Sequence, residues 1–368
     1  MSSAGVEGAT VDSTRLERAR ELLAEPSLDA LIVPGTANLR YLTGFTSSDG
    51  SAVITADGSA LFLTDFRYET QAREQVDPAF AQESVAGELL DGVARALPPG
   101  RVGFDDVATT VHQLTRLREL VGDRVELVAA GGLIERLRAV KDAGELERIA
   151  AAAALVDGIY EWLVERGFAG RQERVVALEL EHEMRLRGAE APSFSSIVAS
   201  GAHGALPHAE PRDVAIERGT LVTVDIGAVL DGYYSDCTRT FAVGEPTVQA
   251  REVYELVLAA QLAGLVAVAP GLAGREVDAQ ARAVIEHAGY GERFGHGLGH
   301  GVGLEIHEAP RLSRHGGEQL LRVGNVVTVE PGIYLPGTLG VRIEDLVVVE
   351  ADGARRFSQF TKELLVVE

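Results

Sequence analysis

The sequence predicts a mixed α/β protein of two domains, a smaller one over residues 1–135 and a larger one over residues 136–368. The chain has 368 residues, of which 46% are hydrophobic, and this length suffices for two separate cores. Short apolar strand patterns alternate with helical periodicities in the first part, whereas segments typical of acidic hairpins occur only in the second. The predicted boundary lies where the pattern becomes one long helix, after residue 135.

The first domain begins with an amphipathic helix. Asp12 or Ser13 is the expected N-cap, because both residue types accept hydrogen bonds from the free N–H groups of a helix start. Apolar residues recur at helical spacing behind this cap, as Leu16, Ala19, Leu22 and Leu23. Strands that alternate with helices are then expected over residues 30–33, 52–54 and 60–63.

The second domain is expected to open on one long helix over residues 136–167, where the apolar residues follow the helical period. Further helical periodicities predict elements that would pack outside the sheet of this domain, near residues 173–187, 248–268 and 275–288. Two strand pairs lie among these helices, and each pair carries two acids.

The first acidic hairpin lies in LVTVDIGAVLDGYYSDCTRTF. Apolar and polar residues alternate along its first strand, and Asp231-Gly232 is a strong signal for a two-residue turn. A hairpin closed at this turn pairs Asp225 with Thr238. Because side chains alternate between the two faces of a strand, Asp225, Asp236 and Thr238 are then predicted to share one face.

The second acidic hairpin lies in VVTVEPGIY and VRIEDLVVV. Strands are expected around residues 326–330 and 341–349, with a glycine-containing and proline-containing loop between them. A turn centred on Gly337 sets Glu330 opposite Glu344. The two hairpins together therefore predict a box of four carboxylates.

The four acids require a partner. A single acid in a strand is most often solvated, but the residues that flank these four are apolar, and unpaired buried acids are costly. Four carboxylates balance two divalent cations, and oxygen-rich sites suit hard or borderline ions. His300 is expected to enter the same site, because the glycines at 295, 297, 299, 301 and 303 let the backbone approach closely.

The run from Ser193 to Val349 resembles the metallopeptidase family of the "pita-bread" fold, which contains methionine aminopeptidases, Xaa-Pro aminopeptidases, Xaa-Pro dipeptidases (prolidases) and creatinases. The five ligand types occur in family order, and SIVASGAHGALPH, HGLGHGVGLEIHE, EPGIY and VRIED resemble the prolyl-peptidase branch more than the methionine branch. NLRYLTGF and LFLTDFRYETQA resemble the small leading domain of prolidases and creatinases. The resemblance thus implies a creatinase-like α/β domain followed by a pita-bread catalytic domain.

The resemblance also implies a role for each metal ligand. Asp236 and Glu344 would bridge two divalent ions. Asp225 would complete the shell of one ion, while His300 and Glu330 would complete the shell of the other. Manganese is expected in this oxygen-rich box with one imidazole, although cobalt or zinc could occupy it. A water activated by the two metals would be the nucleophile, with Glu330 as its proton acceptor.

Other matches to the family concern catalysis and substrate binding. His208 in ALPH and His307 in EIHE match active-site histidines, which implies that they stabilise the oxyanion and bind the substrate amide. His296 matches a further histidine that lines the site, and Arg342 matches an arginine that can orient a ligand carboxylate. Arg311 matches the arginine that reads the free carboxylate of a dipeptide in prolidases; a solvated loop arginine is the alternative. The remaining histidines are expected to be structural: His112, His182, His203, His287 and His315.

The resemblance implies a metal-dependent exopeptidase. The favoured activity is that of an Xaa-Pro aminopeptidase, which hydrolyses the bond before proline at the N-terminus of a peptide. An Xaa-Pro dipeptidase is the alternative, because both enzymes share the short leading domain and the HEAPR stretch. A creatinase-like C–N hydrolase and a non-catalytic binding relative are also considered. Neither of them needs four carboxylates and a histidine together, so the retention of all five argues against both.

Composition excludes other classes of partner. The formal net charge of -21 argues against nucleic acid, because phosphate binding needs a basic surface. No apolar run of signal-peptide length opens the sequence, and the alanine-rich stretch at 149–155 is too short to span a membrane. Cys237 is the single cysteine, which excludes an intrachain disulfide and predicts a small buried side chain. We therefore expect a cytoplasmic protein without a membrane partner. In line with the resemblance, we also expect a homodimer that acts on proline-containing peptides or dipeptides.

Overall fold

The computed structural model describes residues 13–368, and the expected cap residue Asp12 lies outside the described residues. The chain divides into two compact units, one that ends at Arg138 and one that begins at Ala139. Helices and strands are mixed in both units, as predicted. Within residues 13–368, none of the helices combines the length and the apolar character that crossing a membrane would require.

The first unit is built on a mixed sheet of six strands. Its strands are β1 (Ala30–Val33), β2 (Ser51–Thr55), β3 (Ala60–Thr64), β4 (Ala81–Ser84), β5 (Gly100–Phe104) and β6 (Val125–Ala129). Its helices are α1 (Ser13–Leu23), α2 (Thr36–Thr43), α3 (Glu69–Gln75), α4 (Leu89–Ala96), α5 (Val111–Val121) and α6 (Leu133–Arg138). The strand order is β4-β3-β2-β1-β5-β6, and β2 is antiparallel to both of its neighbours. The three predicted strands are observed to within one residue, because each is an apolar run that is almost fully buried.

The predicted long helix over residues 136–167 is wrong in one respect, because the structure has two helices there. Helix α6 ends at Arg138, and α7 (Ala143–Arg166) begins after four intervening residues. Asp142 accepts a hydrogen bond from the backbone N–H of Glu145 at 2.9 Å, and the Glu145 carboxylate accepts one from the N–H of Asp142 at 3.0 Å. This reciprocal capping box starts a new helix and breaks the continuous pattern.

The second unit contains the larger share of strands. Its strands are β7 (Ala191–Pro192), β8 (Ile197–Ser200), β9 (Thr220–Ile226), β10 (Ala228–Leu230), β11 (Tyr233–Tyr234), β12 (Cys237–Val243), β13 (Gly299–Gly301), β14 (Glu308–Leu312), β15 (Val326–Val329), β16 (Gly332–Leu335), β17 (Leu339–Arg342), β18 (Asp345–Glu350), β19 (Gly353–Arg356) and β20 (Val366–Val367). After α7, its helices are α8 (Glu173–Leu186), α9 (Val248–Ala267) and α10 (Gly274–His287). The three helices predicted after α7 are therefore confirmed.

Two sheets of this unit carry the acids, and each is covered by a pair of helices. One sheet has the order β20-β12-β9-β8, and its apolar face packs against α7 and α8. The other has the order β14-β13-β15-β18-β19, and its apolar face packs against α9 and α10. Asp225 therefore lies on a strand, and the other three acids lie directly beside strands, whose positions are set by two separate cores.

The first acidic hairpin forms as predicted. Strand β9 pairs with β12 in antiparallel register, and Asp225 lies opposite Thr238. The turn residues Asp231 and Gly232 have φ angles of 47° and 69°, the left-handed backbone that a tight hairpin turn requires. The tip of the hairpin, β10 and β11, forms a separate three-stranded sheet with β7.

The second acidic hairpin has the predicted register but shorter strands. Gly332 pairs with Arg342 in β16 and β17, and Val329 pairs with Asp345 in β15 and β18. Both ladders share one register, so Glu330 lies opposite Glu344 in the gap between them. The predicted strands around 326–330 and 341–349 are each interrupted there. Proline follows Glu330 and cannot donate a ladder hydrogen bond, which explains the interruption.

Candidate metal centre

The structure brings the four acids of the two hairpins together with His300. Nε2 of His300 lies 3.6 Å from Oδ2 of Asp236 and 3.4 Å from Oε1 of Glu330. Ligand atoms of Asp236, His300 and Glu344 all lie within 4.8 Å of one another. Asp225 lies on β9, which pairs with β12. It lies opposite Thr238, two positions after Asp236. The five predicted ligands thus occupy one region of the second unit.

Two of the acids, Asp225 and Glu344, have one oxygen in a hydrogen bond and the other without a partner. The hydroxyl of Thr238 donates to Oε2 of Glu344 at 2.8 Å, and Nη2 of Arg342 donates to Oδ2 of Asp225 at 2.7 Å. The other oxygens, Oδ1 of Asp225 and Oε1 of Glu344, are buried and have no hydrogen-bond partner among residues 13–368. Buried carboxylate oxygens without a partner fit a bound cation.

The electrostatics of the cluster also fit a cation. Burial, reinforced by the neighbouring carboxylates, raises the pKa of Asp236 and of Glu344 well above the usual range. Burial likewise raises the pKa of Glu330. Protons would therefore neutralise part of this cluster, and divalent cations can replace them because their charge stabilises every carboxylate at once.

The side chain of His300 is held as a neutral imidazole. Burial lowers the pKa of its imidazole, which favours the uncharged ring. Nδ1 lies 3.1 Å from the carbonyl oxygen of Gly301, an atom that can only accept, so Nδ1 carries the proton and Nε2 keeps a lone pair. The Thr328 hydroxyl accepts from the backbone N–H of His300 and donates to Oε1 of Glu330, each at 3.1 Å. Thr328 therefore links the two residues that are predicted to share an ion.

Hydrogen bonds from Arg239 connect the backbone segments next to the acids of the two sheets. Arg239 is 1% exposed, and its guanidinium donates to the carbonyl oxygens of Thr238 and Glu344. Its Nη2 also donates to Oδ1 of Asp345 at 2.8 Å. Cys237 is buried beside these groups, as predicted, with Sγ 3.4 Å from the carbonyl oxygen of Glu344. These contacts fix β12 against β18, the strands next to the two acids that are expected to bridge.

The two predicted catalytic histidines lie at the edge of the cluster and are exposed. The ring centroid of His307 is 4.4 Å from that of His300, in an edge-on arrangement. Partial burial of the His307 ring, and then the charges of His300, Arg311 and His208, lower the pKa of His307. His208 follows Pro207, whose carbonyl oxygen accepts a hydrogen bond from Nη1 of Arg342 at 3.2 Å. Both histidines can therefore reach a molecule bound at the acids.

His296 belongs to a chain of hydrogen bonds that ends at the acids. Its Nδ1 donates to the carbonyl oxygen of Gly297 at 2.8 Å, which leaves Nε2 to accept from the hydroxyl of Tyr334 at 2.9 Å. Nη1 of Arg342 donates to the same hydroxyl at 2.9 Å. His296 also lines a cavity of about 580 Å³. It thus lies between the acid cluster and an open space.

The two predicted arginines have different environments. Arg342 is 4% exposed, and besides Asp225 and Tyr334 it donates to the Thr238 hydroxyl at 3.1 Å. Its contacts are those of a residue that orients a carboxylate. Arg311 is exposed and lies opposite His300 in the pairing of β13 with β14. It is therefore placed where it could read a substrate group beside the cluster.

One buried acid near the site has no signal in the sequence. Glu173, at the start of α8, is 0% exposed and binds the segment that leads to His208. Its Oε1 accepts from the N–H and the hydroxyl of Ser200 at 2.8 and 2.7 Å, and its Oε2 lies 3.0 Å from Nδ1 of His203. Arg212 donates to it from the backbone and the guanidinium. Helical periodicity marks only the position of Glu173 on α8 and does not indicate these partners.

Replacing Glu173 by Gln is expected to lower the free energy of unfolding by about 1–3 kcal/mol, because a buried amide N–H₂ would face donors that then have no acceptor. Burial opposes ionisation of Glu173, but the hydrogen bonds from Arg212 and Ser200 outweigh it and lower its pKa. The extra free energy of unfolding of wild type over Glu173→Gln is therefore fully present at a pH above the ordinary pKa of glutamate. It is lost as the pH falls through the lowered pKa of Glu173. Urea unfolding at several pH values measures it.

The matched control for that measurement is Glu179→Gln on the same helix. The Glu179 side chain is 42% exposed and pairs with Arg171, so its loss is expected to change the free energy of unfolding by less than about 1 kcal/mol. Equal effects of the two substitutions, at all pH values, would show that the Glu173 network does not stabilise the fold.

Comparison with known proteins gives two family matches. Residues 147–351 match metallopeptidase family M24, and residues 15–140 match the creatinase/prolidase N-terminal domain. The first match contains all five residues of the acid and histidine cluster. The second match lies within the six-stranded unit and the residues that directly follow it.

Individual relatives match over almost their whole length. The Xaa-Pro dipeptidase of Pyrococcus furiosus is 37% identical, over 95% of this chain and 99% of that protein. The solved structure of an Xaa-Pro dipeptidase from Bacillus anthracis has a TM-score of 0.92 and 39% identity, and covers 96% of this chain and 99% of that chain. An X-Pro aminopeptidase structure from Thermotoga maritima has a TM-score of 0.87 and 34% identity, and covers 95% of this chain and 100% of that chain.

Proposed function

The chain belongs to metallopeptidase family M24, and from this premise we propose that it is an Xaa-Pro dipeptidase that uses two divalent cations. The fold class predicted from the sequence, a creatinase-like α/β domain followed by a pita-bread catalytic domain, is confirmed. The aminopeptidase activity favoured by the sequence is not confirmed. The dipeptidase alternative has the better support, because relatives of that name match at 37% and 39% identity over nearly the whole chain.

The single observation that carries the metal assignment is the pair of buried, unpartnered oxygens on Asp225 and Glu344. We propose that Asp225, Asp236, His300, Glu330 and Glu344 would together hold the two cations. Bound cations supply Lewis-acid chemistry, which polarises the scissile carbonyl and lowers the pKa of water. Manganese suits this oxygen-rich set, and cobalt or zinc are alternatives.

The residues of the chain then have separate tasks. Glu330 accepts the proton of the attacking water and passes it toward the leaving nitrogen of proline. His307 and His208 donate hydrogen bonds to the substrate oxygen on which negative charge develops. Arg342 orients the carboxylate of Asp225, because its Nη2 donates to Oδ2 of Asp225 at 2.7 Å. We assign this chemistry to the predicted catalytic domain, residues 136–368, since every group named here lies in the unit that begins at Ala139.

Arg311 is the group that we propose to read the substrate carboxylate. A dipeptide carries a free carboxylate one residue beyond the bond that is cleaved, whereas a longer peptide carries a neutral amide there. A guanidinium binds a carboxylate through paired, charge-assisted hydrogen bonds. The position of Arg311 opposite His300 in the β13–β14 pair supports this role.

Arg311→Ala is expected to weaken turnover of Xaa-Pro by about 2 kcal/mol, or roughly 30-fold in kcat/KM, because a charge-assisted pair is lost. Turnover of Xaa-Pro-Yaa should change much less, because an amide offers the guanidinium no charge. Steady-state kinetics on both substrates measure the difference. Arg322→Ala removes another exposed arginine of the same unit and serves as the control. Equal losses on both substrates would contradict the role of Arg311.

The decisive experiment for the proposed function is a substrate panel with added Mn²⁺. We expect the wild-type protein to hydrolyse Xaa-Pro dipeptides with a higher kcat/KM than Xaa-Pro-Yaa tripeptides. Preference for the tripeptides would establish the aminopeptidase instead. The expected homodimer and cytoplasmic location stay predictions, and light scattering of the purified protein tests the first of them.

A further inference from the structure

Lysine is rare in this chain, and both lysines form ion pairs. The sequence has two lysines against 32 arginines. Lys362 pairs with Asp345 at 2.7 Å. Lys141 pairs with Glu308 at 3.0 Å, and the two side chains are only 1% and 5% exposed. Glu308 directly follows His307, so the second pair lies beside a proposed catalytic residue.

The space around the Lys141–Glu308 pair is tightly filled. Gly303 packs its backbone directly on the pair: a Cβ added there would lie 2.6 Å from Oε2 of Glu308 and 2.9 Å from Cε of Lys141. The forked guanidinium of arginine is bulkier than an ammonium group. A compact cation therefore suits this site, which agrees with the use of lysine in a chain that otherwise uses arginine.

The Glu308 carboxylate closes the loop over residues 302–307. Oε2 accepts from the ammonium of Lys141, and Oε1 accepts from the backbone N–H of Glu305 at 3.1 Å. The N–H of Gly303 donates to the carbonyl oxygen of Glu305, also at 3.1 Å. The loop is thus folded over the ion pair, and its last residue is the proposed catalytic His307.

Lys141 is itself fixed at its main chain. Its N–H donates to the carbonyl oxygen of Gly324 at 2.9 Å. The side chain of Asn325, which is 1% exposed, donates to the carbonyl oxygen of Ala139 at 2.7 Å. Both partners directly precede β15, which pairs with the strand that carries His300. The ammonium of Lys141 is therefore a fixed point relative to that strand.

We propose that Lys141 is a positioning residue, whose buried ion pair with Glu308 holds the 302–307 loop so that His307 faces His300 and the substrate oxygen. Lys141 is not assigned to the cations or to the substrate, and it acts through Glu308. The kinetic part of this inference rests on the proposed function. The structural part, the tether of the loop, does not depend on it.

The kinetic test uses the full chain loaded with Mn²⁺ and compares Lys141→Met, Glu308→Gln and the double variant. Each single variant is expected to lower kcat on Xaa-Pro by roughly 10- to 100-fold with both metal ions retained, because small misplacement of a catalytic group costs that much. The double variant removes both buried charges, so its urea midpoint should return toward wild type. Its kcat should stay low, because the tether is still missing.

A purely structural role predicts a different result for the double variant, in which stability and kcat recover together. That recovery, or wild-type kcat in Lys141→Met, would overturn the proposal. Arg171→Met is the control for loss of an ion pair as such, because it removes the 2.7 Å pair with Glu179 on α8 and should leave kcat unchanged.

Hydrogen exchange tests the tether without any activity. In Lys141→Met, exchange is expected to rise in peptides that cover residues 302–308 and to stay at the wild-type rate in peptides that cover α8. Unchanged exchange in residues 302–308, or an equal rise throughout the chain, would overturn the tether. If wild type hydrolyses no Xaa-Pro dipeptide, the proposed function fails, and this measurement still decides whether Lys141 holds the loop.

Discussion

Asp236→Ala and Glu344→Ala are each expected to abolish hydrolysis of Xaa-Pro dipeptides and to lower the metal content toward one or no ion per chain. Each change removes a carboxylate that would hold the cations. The loss in kcat/KM should be at least about 10³-fold, because Lewis-acid stabilisation amounts to several kcal/mol and each 1.4 kcal/mol is a factor of ten. Metal analysis and kinetics on the same sample measure both effects.

Comparison of the metal-free variants with the metal-free wild type distinguishes unfolding from loss of metal. Burial and repulsion from neighbouring carboxylates make Asp236 and Glu344 costly to ionise, so removing either of them should not lower the melting temperature of the metal-free chain. Asp352→Ala, at an exposed turn, is the control and should keep activity and metal content. Two tightly bound ions in either cluster variant would refute the assignment.

His208→Ala and His307→Ala are expected to leave the metals in place and to lower kcat/KM by roughly 10² to 10⁴, the usual contribution of a positioned acid–base or oxyanion group. Neither ring is assigned to a cation, and both are exposed at the edge of the acid cluster. His182→Ala, on the exposed face of α8, is the control. Wild-type turnover in both variants would return His208 and His307 to structural roles.

The first hairpin is predictable in full because local chemistry determines it. An aspartate and a glycine can adopt the left-handed turn, and alternation of apolar residues allows one register, so the sequence alone places Asp225 opposite Thr238. The second hairpin shows the limit of this reasoning. Its register follows from the turn, but the strands are shorter than expected because Pro331 interrupts the ladder after Glu330.

Contacts between residues far apart in the chain cannot be predicted in this way. Periodicity assigns a side chain to a face of its own element and does not identify its partner on another element. The sequence places Arg342 on a strand near the acids, but only the fold reveals its ion pair with Asp225. The pairing of Lys141 with Glu308, 167 positions apart, has no local signal. The break between α6 and α7 does have one, because Asp142 and Glu145 form a capping box, and the continuous apolar period hides it.

Because Cys237 is buried, the reactivity of its thiol can report metal binding. A thiol-specific reagent reaches a buried cysteine only when the surrounding structure opens, so the reaction rate measures how often that opening occurs. Cys237 is the single thiol and lies next to Asp236 in the sequence, so the signal comes from the metal-binding strand alone. Cations that bind only the closed form slow the reaction in proportion to their occupancy. Titration of the natural protein with Mn²⁺ could therefore yield its affinity without an introduced label.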